Sequence, residues 1–170
     1  STNQWSQKAP ILTARHAVKL IHLDDKVWAI TGHVGSVTNI VEIYDVANNT
    51  WTTGPSLTTA RHWPSVWLAD GRIYVASGFD ANSNYLNSIE VYDPVANQWT
   101  AAGFLPENKY QSDAAVLGGK VYVVAGARGN DDRSNKVYAA DLNASLAGVF
   151  DLYFRDGNAS AGGVAAGGTI

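Results

Sequence analysis

The residues of this chain that could do polar chemistry come in series. Arg15-His16, Arg61-His62 and Lys109-Tyr110 each stand before a glycine, the basic residue 17 positions ahead of Gly32, Gly78 or Gly126. An arginine fork meets a carboxylate with two parallel hydrogen bonds, and an imidazole exchanges a proton near neutral pH. One use of the series is therefore to bind acidic groups. The other is internal. Glu42 and Glu90 recur in step with Arg15 and Arg61 and offer each a partner that would tie neighbouring repeats together, and scaffolding is what recurs with a repeat. For the arginines we favour the internal use.

Residues that break the series are better sites for recognition. After the glycines come His33, Phe79-Asp80 and Ala127-Arg128, opening loops over 33–39, 80–87 and 128–135 that differ from one another. Variable loops on a rigid scaffold are where recognition usually sits. The candidate binding set is thus Arg15, His16, His33, Arg61, His62, Asp80, Lys109, Tyr110 and Arg128. Trp63, Trp67, Tyr85 and Tyr110 offer aromatic contact area, although packing between elements is the more ordinary use of each. Asp80, Asn82 and Asn84 alternate like the start of a calcium loop, but Tyr85 and Val91 replace the glycine and glutamate such a loop needs, so the segment reads as a polar loop. No histidine pair has metal-ligand spacing, and no nucleophile elbow, phosphate loop or zinc-protease motif occurs. Neither a catalytic set, a metal site nor a cofactor is expected.

The elements that must position these residues follow from the same periodicity. Leu23–Gly32, Ala69–Gly78 and Leu117–Gly126 align, their closing glycines 46 and 48 apart. Val41-Glu42-Ile43-Tyr44-Asp45 recurs as Ile89-Glu90-Val91-Tyr92-Asp93, and more faintly as Lys136-Val137-Tyr138. Trp51 and Trp99 follow Tyr44 and Tyr92 by seven residues, and Trp5 precedes Trp51 by 46. Each repeat reads as four short strands, the second an unbroken apolar run buried on both faces, the third alternating. Asp, Asn and Pro supply the turns between third and fourth strands. Pro10, Pro55 and Pro106 are placed to end the fourth strands, and nothing supports a helix.

This pattern resembles the kelch repeat over about Gln4–Leu142, most specifically in its first two copies. The family's usual glycine pair is here Thr31-Gly32, Ser77-Gly78 and Ala125-Gly126. The resemblance implies an all-β chain of kelch-type β-propeller blades, four-stranded antiparallel sheets, about three to the chain. The blades are expected over residues 1–146. Residues 147–170 are expected to hold one more strand, Val149–Arg155, and then a glycine- and alanine-rich flexible tail from Ala159 to Ile170. Propellers close with about four to eight blades. Two copies paired head to tail, each Trp5 segment completing the other's third blade, would make a six-bladed ring; a piece of a longer propeller is the alternative. The resemblance also places the repeated basic positions at the mouth of a central channel.

The function it implies is a non-enzymatic binding module that presents its loops to a protein or glycan partner. A carbohydrate-active enzyme, such as a sugar-acid mutarotase, is the alternative and would need an acid–base group in the channel, for which Arg15, Arg61 and Glu42 stand nearest to hand. A third reading is a structural segment of a larger surface protein. Copper oxidases of similar fold use a tyrosine linked to cysteine, and this chain has no cysteine. Net charge −3 gives no basic field for nucleic acid, and no apolar run is long enough for membrane insertion as a helix. Ser1 opens the chain without methionine, as after loss of a leader or tag, and the compartment stays open, with a lean to a secreted or cell-surface setting.

Overall fold

The computed structural model describes residues 3–129 and 132–142. The expected strand at Val149–Arg155 and the tail beyond it lie outside the described residues. Eleven strands form three antiparallel sheets, and no helix occurs among the described residues. The first blade orders β1 (Lys19–Leu23), β2 (Lys26–His33), β3 (Val37–Asp45) and β4 (Thr50–Thr53) from first to last. The second repeats this with β5 (Ser65–Ala69), β6 (Arg72–Ala76), β7 (Leu86–Asp93) and β8 (Gln98–Lys109). The third has β9 (Asp113–Leu117), β10 (Lys120–Val124) and β11 (Val137–Asp141).

The first hairpin of each blade turns on two residues that both adopt left-handed backbone: Asp24-Asp25, Asp70-Gly71 and Gly118-Gly119. That geometry matches the right-handed twist of the flanking strands, which is why Asp and Gly hold these places. Between third and fourth strands the Asp45 carboxylate accepts from the Asn48 amide, and Asp93 accepts from Val95 and Ala96. The two Tyr–Trp pairs lie across β3–β4 and β7–β8, with ring centroids 5.1 and 5.5 Å apart. Each indole N–H donates to the segment that leads into its blade, Trp51 to Ala9 and Trp99 to Pro55.

The cores lie between blades. Leu23, Trp28, Ile30 and Val41 of the first blade pack against Val66, Ile73, Val75 and Tyr92 of the second. Trp67, Tyr74, Ala76, Ile89 and Val91 pack against Val121, Val123 and Ala140 of the third. Each sheet is thus buried on both faces only where it has a neighbour on both sides.

Three expectations change. Pro106 does not end the fourth strand, because β8 runs through it to Lys109, with pairing irregular near Gly103 and Phe104. Proline is tolerated there because β8 is the outer edge of its sheet. Gln4–Ser6 forms no strand within the chain, and Trp5 is fully exposed. The third copy of the Glu-Ile-Tyr segment is shifted by two residues. Lys120 pairs with Asp141 as Lys26 pairs with Asp45, so Tyr138, not Lys136, occupies the register of Glu42 and Glu90.

Candidate functional site

The inner ends of the blades are joined through their backbones, with the side-chain contacts Ser65–Ser112 and Lys19–Asp113 beside them. The Trp63 amide donates to Ala17 O at 3.4 Å and the Gln111 amide to Trp63 O at 3.0 Å, linking equivalent positions of successive blades. Beside this line, the Gly32 amide donates to Arg61 O and the Gly78 amide to Lys109 O. A Cβ at Gly32 would lie 2.8 Å from His16 O, and at Gly126 2.8 Å from Tyr110 O. No side chain fits there, and the backbones of φ +126° and +93° favour glycine independently. The preceding residues Thr31, Ser77 and Ala125 also have positive φ, 59°, 62° and 57°. Both places of the glycine pair are left-handed, and only the second is sterically closed.

This tight inner edge fixes where the basic residues go. Arg15 donates to the Glu42 carboxylate at 2.9 Å and to Ala29 O at 3.0 Å. Arg61 donates to Glu90 at 2.8 Å and to the backbone at Ser77 and Ser88. Both side chains are 0% exposed. The glutamates also bind the chain entering their blade: Glu42 accepts from the Leu12 amide, Glu90 from Thr58 and Thr59. The arginine–glutamate pairs do not tie neighbouring repeats as expected: each lies within one blade, because its glutamate also binds the segment entering that blade and so clamps the linker to it. Glu42 is therefore occupied, not free for acid–base work.

In the third blade, where Tyr138 stands in the glutamate's register, Lys109 lies over its ring at 4.7 Å. The carboxylate comes instead from Glu107, 3.0 Å from the Lys109 ammonium. Glu107 also meets Ser134, Arg128 and Lys136. Burial opposes its ionisation, but the bonds from Lys109 and Ser134 outweigh that and hold its pKa at about 2. Glu107 carries no repeat signal, and the sequence reading missed it. Arg128 is tied to Asp132 at 2.8 Å. The Asp80 carboxylate accepts from Asn82 and Asn84, so it closes its own loop. Among the described residues no group of three His, Cys, Asp or Glu is arranged to hold a metal.

What remains at the mouth is a strip of rings. Backbone bridges pair His16 with His33, His62 with Phe79 and Tyr110 with Ala127, the same pairing in each blade. Their rings touch in sequence: His16 to His33 at 5.0 Å, His33 to His62 at 5.6 Å, His62 to Phe79 at 5.3 Å. Trp63 lies 4.3 Å from His62 and 5.8 Å from Tyr110, and Tyr85 stacks on Tyr110 at 5.1 Å. His62 is buried, and neither of its ring nitrogens has a hydrogen-bond partner among the described residues. Burial, with help from His33 and His16, pushes its imidazole below the usual value. Trp67 does serve the core, stacked on Tyr74. Trp63, Tyr85 and Tyr110 are instead half-buried at the mouth. Of the nine candidates, His16, His33, His62 and Tyr110 come together there, while Arg15, Arg61 and Lys109 lie beneath, bound internally. Asp80 and Arg128 stand at the rim. Arg133, bridged through Ala127 to Tyr110, has no ion-pair partner among the described residues.

The family model for the Kelch motif matches residues 14–58 and 68–103. The chain is 37% identical over 83 residues to kelch repeat and BTB domain-containing protein 8 of Xenopus tropicalis, covering 46% of this chain and 14% of that protein. It is 30% identical over 89 residues to kelch-like protein 33 of Homo sapiens, covering 52% of this chain and 17% of that protein. The matched stretch is thus a small part of each relative's own length. The solved structure of YjhT superposes with a TM-score of 0.78 at 15% identity, over 89% of this chain and 54% of that one.

Proposed function

This chain is a kelch-repeat protein, and we propose that it works as a protein-interaction module whose partner docks on the ring strip at the blade mouth. The observation that carries this is the run His16–His33–His62–Phe79 with Trp63, Tyr85 and Tyr110 in mutual contact. Aromatic rings half-exposed on a stiff scaffold give large contact area at little entropic cost. A glycan stacked on the same rings is the other ligand these residues would suit. The test is panning a random peptide display library on the purified chain. Clones bound at the mouth lose binding to Tyr110→Ala while keeping it to Val46→Ser, a change in the turn between β3 and β4. Clones indifferent to Tyr110→Ala would remove the mouth from the reading.

We also propose that a second copy completes the ring. Leu117, Val124 and Val137 of the third blade are 73%, 42% and 53% exposed, whereas Ala69, Ala76 and Ile89, at the same register in the second, are 7%, 0% and 3% exposed. At the other end Leu20 is 60% exposed while its counterpart Val66 is 8% exposed. The two open faces are those that meet wherever one blade packs on the next. Trp5, with the spacing of Trp51 and Trp99, is the free side chain suited to the outer edge of β11.

A further inference from the structure

Resting on the mouth as the docking site, we infer that the bound segment is an uncharged stretch of peptide carrying an aromatic side chain, held while the His62 imidazole is neutral. Arginines at such a mouth would suit an acidic partner, but here they are spent. Arg15 and Arg61 are 0% exposed and paired to Glu42 and Glu90, and Lys109 is 0% exposed and paired to Glu107. Arg128 is shared between Asp132 and Glu107. The exception, Arg133, lies at the third-blade end, past Tyr110. The surface left for contact is ring faces, and ring faces take other rings in offset or edge-on stacks.

The His62 imidazole sets the condition. The rings in contact with His62 are His33 of the first blade and Trp63 and Phe79 of its own, with His16 beyond His33 and Tyr110 beyond Trp63. The nearest acid on its own loop is Asp80, closed on Asn82 and Asn84, and the adjacent Arg61 is neutralised by Glu90. No carboxylate makes an ion pair with any of the three imidazoles among the described residues. A proton on His62 would create a second N–H donor in a buried ring whose nitrogens have no partner among the described residues. That charge would lie in the strip, in ring contact with His33, Trp63 and Phe79, and would draw water to it, which disfavours an apolar guest.

Two capped peptides are the probes, one uncharged with tryptophan, proline and tyrosine, the other of equal length rich in glutamate and aspartate. Binding is followed by NMR on the chain labelled at its histidine and tryptophan side chains. The expected result is that the aromatic peptide shifts the His16, His33, His62 and Trp63 signals at pH 7.5 and binds about tenfold more weakly at pH 5. In His62→Phe the ratio of the pH 7.5 and pH 5 affinities falls to about one, whatever the affinity itself; His62→Gln serves if that variant misfolds. Tighter binding of the acidic peptide at these signals would overturn the inference and leave the mouth as the docking site. An unchanged affinity at pH 5, or preference for a neutral oligosaccharide such as cellohexaose, would also overturn it. Mouth signals that answer none of the three probes would overturn both.

Discussion

At the scale of single residues, the costliest conformations stand where the blades meet at their inner edges. Thr31, Ser77 and Ala125 hold left-handed backbone with side chains that resist it, a penalty of about 1–2 kcal/mol each. What each gains differs. Ser77 accepts from the Ser65 amide and bonds to Ser112, whereas the Thr31 hydroxyl is buried with no partner among the described residues. Thr31→Gly therefore raises stability by about 1 kcal/mol after the entropy of the added glycine is charged against it, Ala125→Gly by less, and Ser77→Gly not at all. Denaturant midpoints measure the order, and a Ser77→Gly gain above the Thr31→Gly gain would contradict it. The sequence displayed these positions as departures from a glycine pair. It did not display that the second place is closed by a carbonyl and the first only by strain, since a φ angle leaves no mark on residue type when threonine, serine and alanine all fill it.

At the scale of elements, the clamp between a buried cation and its glutamate was legible in two blades and hidden in the third. Glu42 and Glu90 repeat in sequence with Arg15 and Arg61, so pairing followed from spacing. Glu107 sits in β8, two residues before Lys109, and was reached only because Tyr138 left that register without an acid. The ring strip was half-legible. The basic–aromatic positions recur, but Trp63 and Tyr85 looked like core until the blades were set side by side. Glu107 also gives an acid signature. Its folded pKa of about 2 is depressed, so its contribution is full above the ordinary carboxylate value and fades as pH falls toward 2. Glu107→Gln costs about 2 kcal/mol at pH 7, because Lys109 keeps only the Ala125 carbonyl and the Tyr138 ring. Thermal melts across pH 2–7 should converge for variant and parent at the acid end; a constant gap would show that the charge is not the cause.

At the scale of the whole molecule, the number of blades and their order along the chain were readable because the repeat is long and keeps its register. What terminates the stack was not, because an end face is written in the same apolar residues as an interior one. Light scattering at tens of micromolar should give twice the chain mass, and Leu117→Glu should give the mass of one chain with its β-sheet circular dichroism unchanged; the mass of one chain for the parent would remove the second copy from the account. The backbone line from Ala17 through Trp63 to Gln111 has a mechanical consequence. It joins the blades at their narrow ends, while the outer strands of neighbouring sheets share no ladder. The assembly is stiff at the pivot and compliant at the perimeter, like a hand fan gripped at its rivet. A load on the outer strands would spread the blades by angle, leaving the spacing of the rings at the mouth almost untouched.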